Sequence, residues 1–261
     1  PVNIQGFFGG DRTDIVLPAT QETLLKELHA LGKPMVLVLL NGSALAINWA
    51  AEHVPAILEA WYPGQAGGDA LADVIFGDFN PAGRLPVTFY RSVADLPPFE
   101  AYSMENRTYR YFAGEPLYAF GHGLSYTTFH YDNLQIDRSE VAAGGEVHIS
   151  VDVTNCGSRA GEEVVQLYTR QTAAPPRPLK ELKGYKRVQL APGEGKTVTF
   201  TLYANQLSVY DAELLAVLHP DKVEVFIGRS SDALLLKGDF AIVGPKTGIP
   251  NDKVFFSDVT V

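Results

Sequence analysis

Ala60-Trp61-Tyr62-Pro63-Gly64-Gln65-Ala66-Gly67-Gly68-Asp69-Ala70-Leu71-Ala72-Asp73-Val74-Ile75-Phe76-Gly77 reads as the end of a buried strand, a tight turn, a helix and a stop. Residues 54–60 are mostly apolar, as in a strand covered on both faces. Pro63-Gly64 breaks the run. From Asp69 a helical pattern sets Ala70, Leu71, Val74 and Ile75 on one face. Gly67 and Gly68 permit a close backbone approach, and Gly77 stands where a helix C-cap is expected. A strand feeding a helix through a glycine-rich turn is the unit of an open α/β sheet. Such sheets bind ligands beyond the carboxyl ends of their strands, so Trp61 and Tyr62 are the first functional candidates.

Outward from this stretch the βαβ order continues. Residues 18–31 predict a helix, with Leu24, Leu25, Leu28 and Leu31 at helical spacing, Thr20 as N-cap and Gly32 as stop. Met35 to Leu40 is an unbroken apolar run, hence a buried strand, closed by Asn41-Gly42-Ser43. Residues 47–53 read as a short helix and Leu85-Pro86-Val87-Thr88-Phe89 as another strand. That makes about three strands and three helices before residue 90, against the five or six strands of an ordinary sheet. The expectation is a chain that begins inside a domain.

From 91 to 130 periodicity fades and rings crowd in: Tyr102, Tyr109, Tyr111, Phe112, Tyr118, Phe120, Tyr126 and Phe129. A loop so rich in rings packs on something or lines a site. From Tyr131 the period becomes two. Val147, Ile149, Val151 and Val153 alternate with polar residues, as do Val165 and Leu167, then Val198, Phe200 and Leu202, then Val223, Val225 and Ile227. Turn residues separate these runs, which predicts about seven strands in an immunoglobulin- or fibronectin-type sandwich. The predicted fold class is therefore α/β, a partial open sheet, followed by an all-β sandwich. The segments are 1–90, 91–130, 131–244 and a tail, 245–261, expected to dock on a neighbouring surface.

The chain has 261 residues, 46% hydrophobic and 20% charged, with a formal net charge of −9. No apolar run is long enough to cross a bilayer, and no block of Lys and Arg invites nucleic acid or an anionic membrane. Neither partner is expected. Cys156 is the single cysteine, which rules out an intrachain disulfide and a thiolate cluster; its place in a turn reads as incidental. The six histidines show no metal spacing, and no metal or other cofactor is expected. There is no Gly-x-Ser-x-Gly elbow, no phosphate-loop lysine after Gly64, and the loop Gly121-His122-Gly123 lacks the setting of a dinucleotide fingerprint. Asn41-Gly42-Ser43 and Asn106-Arg107-Thr108 match the glycosylation acceptor pattern weakly. Asp11, Asp14, Asp69, Asp73, Asp78, Glu100, Glu105 and Glu115 offer carboxylates for acid–base work, yet spacing selects no pair. Asp11 with Arg12 reads as a structural pair.

Several phrases resemble family-3 glycoside hydrolases. They are Gly9-Gly10-Asp11-Arg12-Thr13-Asp14, Ala60 to Gly68, and Phe76-Gly77-Asp78-Phe79-Asn80-Pro81-Ala82-Gly83-Arg84-Leu85-Pro86. Arg107-Thr108-Tyr109-Arg110-Tyr111-Phe112, Leu117 to Thr127 and Leu182-Lys183-Gly184-Tyr185 belong with them. The likeness runs along nearly the whole chain and is similar to the C-terminal part of a β-xylosidase or β-glucosidase; the Arg107-to-Phe112 phrase leans to the xylosidase-like branch. The resemblance implies a barrel, an α/β sandwich domain and a fibronectin type III-like domain. It also implies a retaining exo-acting enzyme with an Asp nucleophile from the barrel and a Glu acid/base just before the Gly-Gly-Asp-Arg phrase. Residues 1–10 hold no Asp or Glu, so neither catalytic carboxylate is placed in this chain. Partners implied are the N-terminal barrel portion, on the same or a separate polypeptide, an oligosaccharide substrate, and a further copy in a homo-oligomer. The sequence does not fix the location; the resemblance points to a secreted or periplasmic one and leaves a cytoplasmic one open. Asn41, Trp61, Tyr111 and Phe112 are expected at the pocket rim. The competing reading is a stand-alone carbohydrate-binding or structural module; a half-built sheet with exposed apolar edges favours the enzyme fragment.

Overall fold

The computed structural model describes residues 14–172, 178–249 and 253–261. The glycine-aromatic loop at 6–10 and the Asp11–Arg12 pair lie outside the described residues. The chain divides into two compact units, one drawn from the described residues up to Phe79 with Val87–Thr108 and Phe112–Ala119, the other from Asn80–Pro86, Tyr109–Tyr111 and Phe120–Val261.

In the first unit α1 spans Ala19–Ala30. Thr20 is not its N-cap. The cap lies two residues earlier, at Pro18, whose missing N–H costs nothing there and whose carbonyl accepts from Gln21 N–H (2.9 Å) and Glu22 N–H (3.1 Å). No residue of α1 is buried, and Leu24, Leu28 and Leu31 are 57%, 44% and 68% exposed. The leucine spacing made a helix, but among the described residues the stripe is left largely uncovered, with only Leu25 half-buried. β1 (Val36–Leu39) and β2 (Ala56–Glu59) pair in parallel from Val36↔Ala56 to Leu39↔Glu59, joined through α2 (Asn48–His53). The expectation that both strands are covered on both faces fails for the described residues, where only Leu39 of the pair is buried. Two strands leave their outer edges and much of their faces unpacked. The small core is Leu39, Leu45, Ile47, Ala50 and Val54.

α3 spans Gly67–Phe76, and Gly77 closes it in the left-handed region at φ 84° with its N–H on Val74 O (3.1 Å). Of the two glycines expected at a close approach, Gly67 packs on the Pro63 ring, 2.6 Å from where a Cβ would sit, while Gly68 faces open space. The strand expected at 85–89 reduces to a single bridge, Phe89↔Tyr118. Pro86 has no N–H for a ladder, which limits the pairing. Loop 96–107 is built around Arg107, whose guanidinium donates to Ser103 O (3.1 Å), Pro98 O (3.1 Å) and Ala101 O (2.7 Å). The helical turn α4 (Thr108–Tyr111) follows.

The second unit is a β-sandwich. Its strands are β3 (Phe129–Ile136), β4 (Glu140–Val141), β5 (Glu146–Asn155), β6 (Gly161–Gln171), β7 (Glu181–Leu190), β8 (Gly195–Tyr203), β9 (Val209–Tyr210), β10 (Ala216–Leu218), β11 (Asp221–Gly228), β12 (Leu234–Ile242), β13 (Thr247–Gly248) and β14 (Asp258–Thr260). One sheet runs β4-β12-β11-β6-β7 and the other β14-β8-β5-β3, with a small sheet β13-β10-β9 beside them. The tail thus joins the unit as an edge strand, Val259 opposite Phe200. Every alternating residue predicted for β5, β6, β8 and β11 is fully buried. At roughly 1.5–3 kcal/mol for each such side chain, this unit has a self-sufficient core, and the first does not.

Candidate functional site

In the first unit, Leu39↔Glu59 is the last paired register of the parallel strands, so Asn41 and Trp61 each follow their strand end by two residues. The structure brings these two candidates to one edge through a residue that the sequence reading passed over. Glu59 Oε1 accepts the Trp61 N–H at 3.1 Å. The Asn41 amide also lies against the Glu59 carboxyl, while its Nδ2 donates to Ser43 O at 2.6 Å. Burial pushes the Glu59 carboxyl up, and the Trp61 N–H and Asn41 amide pull it back down. Trp61 itself is in the left-handed region, φ 52°. For a bulky residue that conformation costs about 1–2 kcal/mol, comparable to the 1.5–3 kcal/mol of a hydrogen bond to a charged group.

The edge has a built shape. A Cβ on Gly42 would come within 2.8 Å of the Tyr62 ring, so only glycine lets that ring lie across the loop after β1. Tyr62 is otherwise 78% exposed. The Trp61 ring meets Phe89 edge-on (6.2 Å between centroids), and Phe89 meets Tyr118 in the same way (6.1 Å). Phe112, also in this unit, packs edge-on against Tyr90 (5.0 Å), whose hydroxyl accepts the N–H of the left-handed Thr108 at 2.7 Å. Tyr111, half-buried at the end of α4, belongs to the second unit and is not brought to this edge by any contact within one unit.

Two further polar clusters lie within the second unit. Glu163 is 1% exposed; its Oε2 takes Arg84 Nη2 at 2.8 Å and its Oε1 takes the Tyr131 hydroxyl at 2.7 Å. Six residues further along the β6–β7 pair, opposite Thr169, Arg110 and Lys183 both pair with Glu181, the lysine at 3.1 Å. Burial, with Arg110 and Lys253 close by, pushes the Lys183 ammonium down to about 7. Tyr109 stacks on Phe120 (4.2 Å), meets Tyr168 edge-on and accepts the Leu182 N–H at 3.1 Å. These contacts fix Tyr109 and Phe120 to β6 and β7. Both acceptor-pattern asparagines have their amide nitrogens engaged, Asn41 on Ser43 O and Asn106 on Asp95 O. Cys156 is free and exposed. Among the described residues no group of His, Cys, Asp and Glu is arranged for a metal, and no helix is long and apolar enough to cross a membrane.

Residues 5–126 match the glycosyl hydrolase family 3 C-terminal domain, and residues 163–231 the fibronectin type III-like domain. The chain is a C-terminal part of a family-3 glycoside hydrolase. It is 46% identical over 233 residues to a xylan 1,4-beta-xylosidase of Xylanibacter ruminicola, covering 88% of this chain and 27% of that one. It is 42% identical to a periplasmic beta-glucosidase of Salmonella typhimurium, over 89% of this chain and 32% of the relative. A solved β-glucosidase structure from Erythrobacter marinus superposes with a TM-score of 0.82 at 40% identity, over 92% of this chain and 32% of that one. This family-3 chain therefore spans about a third of the length of the relatives it matches.

Of the four rim candidates, Asn41 and Trp61 converge, Phe112 lies in the same unit beside Tyr90, and Tyr111 belongs to the second unit. Glu59 was missed, although its signal was present: it is the one carboxylate inside the apolar run at 54–60, two residues before Trp61.

Proposed function

We propose that this chain serves a retaining exo-acting β-glycosidase, which removes terminal β-linked xylose or glucose from plant-type oligosaccharides. An upstream barrel supplies the Asp nucleophile and an upstream loop the Glu acid/base. In the two-carboxylate displacement the acid protonates the leaving oxygen, and the same residue later activates water as base. The role of the present chain is to hold the aromatic and polar edge beyond β1 and β2. Asn41, Trp61 and Phe112 of the first unit are the substrate-facing residues, and Tyr111 of the second is a separate candidate. Export to the periplasm or medium fits the relative named periplasmic.

The observation that carries this reading is the likeness to xylosidases and glucosidases at 42–46% identity over almost nine-tenths of the chain. The exposed leucines of α1 and the two-stranded sheet agree with it, since both leave apolar surface for a covering portion. The test is hydrolysis of chromogenic β-xyloside and β-glucoside by the folded chain, alone and with the upstream portion supplied. The reading expects turnover only in the second case.

A further inference from the structure

Glu59 is unusual among the carboxylates of the first unit. It ends β2 in the register opposite Leu39, where the parallel pair closes. One oxygen holds the Trp61 N–H at 3.1 Å. The other, Oε2, is buried and makes no hydrogen bond of good geometry, although the Asn41 amide lies against the carboxyl; Asn41 Oδ1 on the neighbouring strand end is likewise buried without a partner among the described residues. A carboxylate serving the fold alone is normally paired on both oxygens, because an unmet buried acceptor is costly. Here that cost is retained next to a tryptophan in a strained backbone conformation. Strain of this kind persists only where its surroundings over-determine it, and such places cluster at working sites.

We propose that Glu59 is a positioning residue: through the Trp61 N–H it holds the left-handed turn that sets the Trp61 indole at the sugar-binding edge. This rests on the reading of Trp61 as substrate-facing. Glu59 does not touch sugar; it acts through the tryptophan. The Phe89 ring, edge-on to the indole, restrains the ring from one side, and Glu59 restrains the backbone beneath it. Without an acceptor two residues back, the N–H has no reason to point inward, and the cheaper right-handed or extended conformations turn the indole away. Gln at this position keeps an acceptor oxygen of the same reach; Ala does not.

The test is made in the full-length enzyme that carries this chain. W61A, E59A, E59Q and the double variant E59A/W61A are compared on aryl β-xyloside and β-glucoside, with thermal melts confirming that each is folded. The expected result is a loss of about tenfold or more in kcat/KM for W61A, and a loss in E59A that falls mainly on KM. E59Q should recover to within about threefold of the parent, and the double variant should be no worse than W61A, since residues acting through one contact do not add. If W61A is impaired while E59A matches the parent, if E59Q is as poor as E59A, or if the two losses add, the positioning role is wrong and the reading of Trp61 stands. If W61A itself keeps full kcat/KM, the substrate-facing reading of Trp61 fails, and the positioning role with it.

Discussion

Replacing Arg84 by Met isolates the energetics of the buried ion pair in the second unit. Arg84 and Glu163 have side chains only 8% and 2% exposed, and their closest atoms are 2.8 Å apart. Glu163 lies on the same face of β6 as Val165 and Leu167, at the end of the sandwich core. Burial pushes its carboxyl up; Arg84, the Tyr131 hydroxyl and Arg229 pull it back. Removing the guanidinium leaves a buried carboxylate with one neutral donor, a change that costs about 3–5 kcal/mol. The sign with pH follows from the same groups. With Arg84 gone the folded-state pKa of Glu163 rises further above its unfolded value. The folded form then holds its proton in a window where the unfolded form has lost it, and stability falls as pH rises through that window. The R84M penalty should therefore be larger at pH 8 than at pH 5. Urea unfolding of the chain followed by circular dichroism measures it. The double variant R84M/E163L should recover most of the loss, because an apolar pair of similar volume replaces a buried ion pair at little cost. A penalty below about 1 kcal/mol with no dependence on pH, or a double variant as unstable as the two single losses summed, would refute this account of the cluster.

Other outcomes follow from the same structure. Y131F removes the neutral donor from Glu163 Oε1 and should cost about 1–3 kcal/mol in the same unfolding assay. Lys183, held at about 7 when folded, lies below its unfolded value, so the unfolded chain binds the extra proton. Stability should rise between pH 7 and 10 by up to about 1.4 kcal/mol per pH unit, and K183M should flatten that slope. Replacing Gly77, at φ 84°, by Ala should destabilise the first unit by about 1 kcal/mol, read from its thermal transition. Serine at Leu24, Leu28 and Leu31 together should change the stability of the isolated chain by no more than about 0.5 kcal/mol per site, yet weaken its association with the upstream portion in a pull-down titration.

The sandwich was legible because its signal is local. Alternation in β5, β6, β8 and β11 placed each inward side chain correctly, since a strand with one face in a core admits only that period. The helix expected from Asp69 and its cap at Gly77 held for the same reason, although the helix takes in Gly67 and Gly68 as well. The α1 stripe was legible as a pattern but not as a burial, because spacing defines a face and not what covers it. Leu85 to Phe89 misled, with Pro86 unable to give the ladder hydrogen bond. The polar clusters were beyond reach: Arg84 and Glu163 are 79 residues apart, and only the folded β6 brings them together. Glu59 lay within reach, as a carboxylate where the pattern wanted an apolar residue. Asn41 and Trp61 were singled out by the strand-end rule and come to one edge against Glu59, whereas Tyr111 was chosen for its aromatic neighbours in sequence and went with the other unit.

The most direct measurement is the rate of chromogenic β-xyloside and β-glucoside hydrolysis by this chain, folded by circular dichroism, before and after the upstream portion is added. The account predicts no turnover by the chain alone and turnover on addition. Hydrolysis by the chain alone would contradict it, because both reacting carboxylates would then have to lie within these residues.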